Sequence, residues 1–387
     1  MTSPRVAHLV FDLIRGGSEG QCARIAMGLA RRGGVQRVAV FHRRGFFQEA
    51  VEAACGPVHE LPIRHAVWPG TVCKIRQFAK WLRLEQIDLL HAWDADAAIF
   101  GQFAARLAET GFMTSRRDLG QIYPRWKTVM MRRADRNAIC VVANAEAVRD
   151  RFVAQGLPEN KIVVLPNLLD MEERDRLAAV PFSRAGELPA GRRLVAVNRL
   201  DPEKNVGLLI EALPLVRKQV PDAALVVAGA GREMPALCAQ AAGLGVAADV
   251  CFLGEIHEVP ALLPLCEIGA LVPIRNEGLS NTILEYMAAG LPVLATDCGG
   301  NRELVRDRAT GRLVPDGADA AAVARAWTEL LRDREAAAAM GRQARREVEQ
   351  RHALAPVLDQ FSDLYARIAE LWQTNRCPSA VSAACSH

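Results

Sequence analysis

The sequence predicts an α/β protein made of two doubly wound parallel sheets. Short apolar runs alternate with longer amphipathic stretches in both halves, as parallel strands wrapped by helices do. A chain of 387 residues, half of them hydrophobic, is long enough for two ordinary domains, each with its own core. The alternation is broken near the middle by MEERDRLAAVPFSRAGELPAGR, a charged stretch punctuated by Pro181 and Pro189 that reads as a hinge. The expected division is residues 1–170, a linker at 171–191, residues 192–352, a last helix at 353–373 and a disordered tail at 374–387.

Composition narrows the function. A net charge of +4 is too mild to imply nucleic acid, and no apolar run is long enough to cross a membrane. The N-terminus MTSPRVAHLVFDL enters a strand with no cleavage-type signal. Ten cysteines without C-x-x-C pairs read as reduced thiols, which sets the expectation of a cytoplasmic protein.

In the first half RVAHLVFDL, RVAVF, IDLLHAW, GFMTS, AICVVAN and KIVVLPN read as strands. QCARIAMGLARRG, TVCKIRQFAKWLRLE, AAIFGQFAARLAE, Trp126–Arg136 and AEAVRDRFVAQG read as the helices between them, and Pro166 and Asn167 close the domain. Ligands of such sheets gather beyond the carboxyl ends of the strands, so the loops there are the places for chemistry. Gly16 and Gly17 follow the first strand, in a turn whose GGSEG spacing fits neither G-x-G-x-x-G nor a P-loop. His91 ends IDLLHAW, just before Trp93; each residue suits a core position as well as a sugar pocket. Asp94 and Asp96 open a helix, where an aspartate caps amides, so this DAD triplet is not read as a metal site. Arg116 and Arg117 follow GFMTS and suggest a two-pronged grip on phosphate or carboxylate, or else a surface ion-pair cluster. Arg125, Lys127, Arg132, Arg133 and Arg136 make the next helix basic, with Trp126 and Met130 interleaved, which suits solvent or an anionic membrane surface.

The second half starts with LVAVN, which runs into Arg199 and then Lys204, two cations at one strand–helix junction. AALVVAGAG ends at Gly229 and Gly231, and DVCFLGEI leads through Glu255 and Ile256 to His257. The strand IGALVPI precedes Arg275–Glu303. There Gly278, Leu279, Ser280, Asn281 and Thr282 lead into a helix whose first-turn amides form an anion site. Glu277 and Glu285 flank that site, and carboxylates in such a place suit sugar hydroxyls.

Glu277 and Glu285, with seven residues between, match the E-x7-E motif, and EGLSNTILEYMAAGLPVLATDCGGNRE resembles retaining glycosyltransferases of family 4 along its length. Arg199 and Lys204 are similar to that family's R-x4-K pair. The resemblance covers nearly the whole chain and implies the GT-B fold, two Rossmann-like domains facing across a cleft, with the last helix returning to the first domain. It implies a retaining, metal-independent hexosyl transfer from a UDP- or GDP-sugar to a glycan or lipid-linked acceptor in cell-surface polysaccharide or glycolipid synthesis, with no other cofactor.

The site residues follow from the same resemblance. Arg199, Lys204 and Glu277 are the catalytic set. Gly16, Gly17, Gly229, Gly231, Glu255, Ile256, Gly278, Leu279, Ser280, Asn281, Thr282 and Glu285 contact the donor. His91, Trp93, Arg116 and Arg117 are placed with the acceptor. Many members have a histidine where this chain reads SRRD, so that histidine's role passes to no residue here, and Leu168 stands where P-N-G would place glycine. The expected location is cytoplasmic, reaching to the inner face of the membrane. A GT-B nucleotide-sugar epimerase and a non-catalytic sugar-nucleotide-binding subunit are the alternatives.

Overall fold

The computed structural model describes residues 3–63 and 70–376, and the expectation of a disordered tail from 377 onward lies outside them. The chain divides into two compact units, one running to Pro166 and resuming at Ala355, the other spanning Asn167–Leu354.

Seven strands form the sheet of the first unit among the described residues: β1 (Val6–Val10), β2 (Gln36–Val40), β3 (His59–Glu60), β4 (Leu89–Ala92), β5 (Gly111–Arg116), β6 (Cys140–Ala143) and β7 (Ile162–Val164). All neighbours are parallel, in the order β3-β2-β1-β4-β5-β6-β7. The order reverses between β1 and β4, so the loops after these two strands flank the switch-point crevice. β1 and β4 are buried at every residue, as in a sheet covered on both faces.

The second unit holds β8 (Arg192–Val197), β9 (Ala223–Ala228), β10 (Val250–Gly254), β11 (Ile268–Leu271), β12 (Val293–Thr296) and β13 (Gly311–Val314). They are parallel in the order β10-β9-β8-β11-β12-β13, with the switch point between β8 and β11. Leu194, Ala196, Leu225, Val227 and Ala270 pack with Leu209, Leu213 and Trp327 in one apolar core. β13 is absent from the sequence-based expectation because GRLV is short and carries an arginine at a sheet edge.

The stretch expected to be a linker, 171–191, is a correction. Its first part is the helix Met171–Ala178, capped by Asp170. Asp175 pairs with Arg345, Phe182 is buried and Arg184 donates to the Leu253 carbonyl at 2.7 Å. These contacts all lie within the second unit, which starts at Asn167, not after 170. Charge and proline count alone cannot tell a hinge from a polar segment tied down by ion pairs.

The C-terminal helix is Leu354–Arg376, so residues 374–376 are helical and not part of a tail. Phe361, Leu364 and Tyr365 of this helix are buried in the first unit. The Tyr365 hydroxyl meets His91 Nδ1 at 2.8 Å, and Ser115 Oγ takes up the other ring nitrogen at 2.8 Å. His91 therefore has both nitrogens engaged inside the core, which corrects its placement with the acceptor. Trp93 is corrected likewise: it is buried, and its indole N–H donates to His8 Nδ1 at 3.0 Å.

That bond fixes the tautomer of His8. Indole can only donate, so Nδ1 accepts and Nε2 carries the hydrogen offered to Gln36 Oε1 at 2.8 Å. Protonating Nδ1 would set two donors against each other. Burial holds the His8 pKa down at about 4, while in the unfolded chain it is near the ordinary 6.5. Between these values the unfolded chain binds the extra proton, so the stability from neutral His8 is present above pH 6.5 and lost as pH falls through about 4. The expected loss is about 2 kcal/mol by pH 5 and on the order of 3 kcal/mol below pH 4. Denaturant unfolding at pH 7 and pH 5 checks it: a His8→Gln variant should show a flatter dependence, and an unchanged one would refute it.

Candidate active site

In the second unit the loops after β8, β9, β10, β11 and β12 meet at the carboxyl edge of one sheet. Residues 273–280 leave β11 and enter the helix Asn281–Ala288. Ser280 is its N-cap, the side-chain oxygen accepting from the Ile283 amide at 3.3 Å. Glu277 and Ser280 are buried, while Asn281, Thr282 and Glu285 are half-buried. Asn167 Nδ2, itself buried, donates to the Leu279 carbonyl at 2.7 Å and to Asn281 Oδ1 at 2.8 Å, fastening the turn from below. Sequence marks Asn167 only as a domain end, because no local pattern reveals a partner 112 residues away.

Lys204 leaves the 3-10 turn Pro202–Lys204 after β8 and places Nζ 2.7 Å from Glu277 Oε2. Both side chains are largely shielded from water, 20% and 10% exposed, so the pair is stronger than a surface contact. Ile274 N donates to the Glu203 carbonyl at 3.0 Å and ties the two loops together behind it. Gly299, with φ +57, lies on the other side of Glu277, and any Cβ there would fall 1.9 Å from the Glu277 carbonyl oxygen. The loop after β12 thus closes on the glutamate in a way only glycine allows.

Arg199 sits differently. Its side chain is 71% exposed and its guanidinium pairs with Asp201 at 2.9 Å and Glu203 at 3.9 Å. Neither acid stands out in the sequence, yet together they hold the arginine in its own loop. Gly229, with φ +142, lies so close to β8 that a Cβ would be 1.7 Å from the Asn198 carbonyl oxygen, and its amide donates to the Gly254 carbonyl at 2.7 Å. A Cβ on Gly231 would be 2.3 Å from the Leu200 carbonyl oxygen. These two glycines draw the loops after β8, β9 and β10 together. Glu255 is exposed and Ile256 half-buried just past β10.

Tyr286 explains how the edge opens. β8 and β11 pair only at Ile268–Leu194 and Gly269–Val195. Beyond that the tyrosine hydroxyl steps between them, accepting from Val197 N at 2.6 Å and donating to the Ala270 carbonyl at 3.3 Å. Gly269 leaves room for the ring, since a Cβ there would be 2.2 Å from Tyr286 Cγ. A tyrosine within an apolar helix stretch gives no hint of this role in sequence.

In the first unit Gly16 stands at the N-cap of the helix Gly17–Arg31, at the end of the loop after β1, so the helix starts at Gly17 where a longer turn is expected from sequence. Asp94 caps the helix Ala95–Ala108, accepting from Ala97 N at 2.9 Å and from Phe11 N at 2.7 Å. Burial raises its pKa to about 7 against these bonds. Arg116 is a correction. β5 extends to include it, and strand periodicity puts Thr114 and Arg116 on one face and Ser115 on the other. Arg116 is buried and grips Asp135 with two nitrogens at 2.6 and 3.1 Å, while Thr114 Oγ1 donates to the same carboxylate at 2.9 Å. It holds a helix to the sheet instead of meeting a ligand. Arg117 turns to the opposite face and stacks over the Trp93 ring, 4.7 Å from its centroid.

Comparison with known proteins supplies a family. The profile described as Glycosyl transferases group 1 matches residues 185–347, and that described as Glycosyltransferase Family 4 matches residues 15–173. The GDP-mannose-dependent alpha-(1-6)-phosphatidylinositol monomannoside mannosyltransferase of Mycolicibacterium smegmatis is 31% identical over 348 residues, covering 77% of this chain and 89% of the relative. The phosphatidyl-myo-inositol mannosyltransferase of Mycobacterium leprae is 29% identical over 307 residues, covering 75% and 76%. Among solved structures, Anabaena HepE in complex with UDP and glucose superposes with a TM-score of 0.83 at 21% identity, covering 94% of this chain and 100% of that one. WaaG, a glycosyltransferase involved in lipopolysaccharide biosynthesis, gives 0.71 at 17% identity, covering 93% and 99%. At such identities the structural likeness shows the fold alone.

Proposed function

The chain belongs to glycosyltransferase family 4 and has the GT-B fold, and from that premise we propose that it is a retaining hexosyltransferase drawing on a nucleoside diphosphate sugar. The observation that carries the reading is the shielded Lys204–Glu277 pair next to the capped N-terminus of Asn281–Ala288. Breaking an anomeric C–O bond builds negative charge on the leaving diphosphate, and fixed positive charge and free amides stabilise it. Lys204, Arg199 and the first-turn amides supply these groups. Glu277 holds donor-sugar hydroxyls once the diphosphate draws Lys204 away, and Glu285 holds the ribose. A donor phosphate oxygen takes the acceptor proton in a front-face attack, so no strong general base is required. Because the cations provide the charge, transfer proceeds without a divalent metal or other cofactor.

The donor is GDP-mannose or a UDP-hexose. The mycobacterial relative is named for GDP-mannose, and the HepE structure contains UDP and glucose. The acceptor is a lipid-linked glycan or glycolipid, in keeping with the relatives' phosphatidylinositol names.

A melting-temperature screen of nucleotide sugars tests this. A donor that binds the folded state alone at a hundredfold over its Kd should contribute about 2.7 kcal/mol. The donor that raises the melting temperature should then label a lipid-linked acceptor at a rate unchanged by EDTA, with the anomeric configuration kept. Conversion of donor with no acceptor added would favour an epimerase, and a chelator-sensitive rate would overturn the metal independence.

A further inference from the structure

Tyr286 lies on the second turn of the helix Asn281–Ala288 and is fully buried. Its hydroxyl occupies a defined place in the sheet. Gly269 N turns towards β12, donating to the Pro292 carbonyl at 3.1 Å, so Ile268 and Ala270 are the residues of β11 whose backbone groups face β8. At the register Ile268–Leu194 and Gly269–Val195, the next bond of a parallel ladder would run from Val197 N to the Ala270 carbonyl. That donor and that acceptor are the two groups the tyrosine hydroxyl takes, at 2.6 and 3.3 Å. The side chain stands in for one rung. Two bonds in place of one keep the strand ends roughly 2 Å farther apart than a direct N–H···O bond of about 2.9 Å would. Burial raises the phenol's pKa further, so the hydroxyl stays neutral, with a hydrogen to give and lone pairs to accept.

We propose that Tyr286 is a positioning residue for the donor, holding the Lys204 loop, the Glu277 loop and the helix amides at a fixed spacing. The inference rests on the glycosyltransferase reading and adds a residue to it. Beyond the missing rung, Val197 leads to Arg199 and Lys204, and Ala270 leads to Glu277. The two loops meet again where Ile274 N donates to the Glu203 carbonyl at 3.0 Å and Lys204 reaches Glu277. The tyrosine is itself part of the helix whose first turn supplies the amides, so one hydroxyl ties all three groups to the end of the sheet. A residue that only filled the core would need no oxygen here. Phenylalanine would fit the same slot over Gly269 and let the rung close, leaving both backbone groups paired and only the spacing changed.

Tyr286→Phe tests this. The direct bond from Val197 N to the Ala270 carbonyl should form, so the melting temperature should change little. Transfer should suffer instead: kcat/KM should fall on the order of a hundredfold, the effect of a displacement of about 1 Å at a reacting centre. The Kd for the free nucleoside diphosphate should rise several-fold while KM for the acceptor stays as in the wild type. If the variant melts early, calorimetry of nucleoside diphosphate binding well below its melting point still reads the spacing. A variant that melts early yet binds and turns over as the wild type does would mark the tyrosine as purely structural and overturn the proposal. So would a variant with wild-type constants and wild-type melting. Either result, in a background where the wild type transfers sugar, leaves the glycosyltransferase reading standing; a wild type that binds no nucleotide sugar would overturn both.

Discussion

Lys204→Ala should lower kcat/KM for transfer on the order of 10²–10³-fold, the loss seen when one group that stabilises developing negative charge is removed. Two features of the site complicate the substitution. Lys204 Nζ stands 2.7 Å from Glu277 Oε2, so alanine leaves a largely buried carboxylate without its partner. Part of any effect is therefore structural, since an unpaired charge in that position is costly. The double substitution Lys204→Met, Glu277→Gln removes both charges and keeps the volume. The neutral pair loses transfer in either case, because Glu277 holds the donor sugar, so affinity for the nucleoside diphosphate is the readout. If the lysine serves only to neutralise Glu277, the pair should fold well and bind the free nucleoside diphosphate as the wild type does. If it holds the diphosphate, the pair should fold well and bind it more weakly. Circular dichroism and melting curves establish the fold, and the Kd for the nucleoside diphosphate distinguishes the two roles. An alanine variant with wild-type kcat/KM would end the phosphate-clamp reading.

Arg116→Ala should destabilise the first unit by about 3–5 kcal/mol while leaving acceptor recognition alone. The guanidinium is 3% exposed and its partner Asp135 1% exposed, so solvent screening does not discount the pair. Removing the arginine strands a carboxylate that also accepts from Thr114. For a domain of this size a loss of that order lowers the melting temperature by roughly 10 °C. Replacing both partners with apolar residues, Arg116→Met with Asp135→Leu, should recover much of the stability, because a buried pair removed whole costs little. An acceptor-binding arginine would behave otherwise: its loss would raise KM for acceptor without moving the melting curve. Observing that pattern would reinstate the acceptor role that the sequence suggests.

These two residues show how far a sequence carries. The positions of Lys204 and Glu277 were legible because they are local: a cation in the loop after β8, an acid just ahead of a helix start. Such spacing is set by short-range backbone geometry, which a linear pattern preserves. The alternation of strands and helices was legible for the same reason, since burial on both faces writes itself as apolar runs. Arg116 and His91 were misplaced because both stand at the ends of strands, where sequence cannot say which way a side chain turns. One further residue of extended chain carries Arg116 to the inner face and Asp135. His91 meets Tyr365, 274 residues later.

The sequence by itself determined the class of fold, most of its strands and the strand–helix junctions whose loops carry Lys204 and Glu277. Tertiary structure alone decided which charges became part of the core, that 171–191 belongs to the second unit, and that a tyrosine hydroxyl fills the gap between β8 and β11. Each of those outcomes depends on a partner far away in the chain. Whether a polar group is spent inside or left for a ligand is settled by what packs against it.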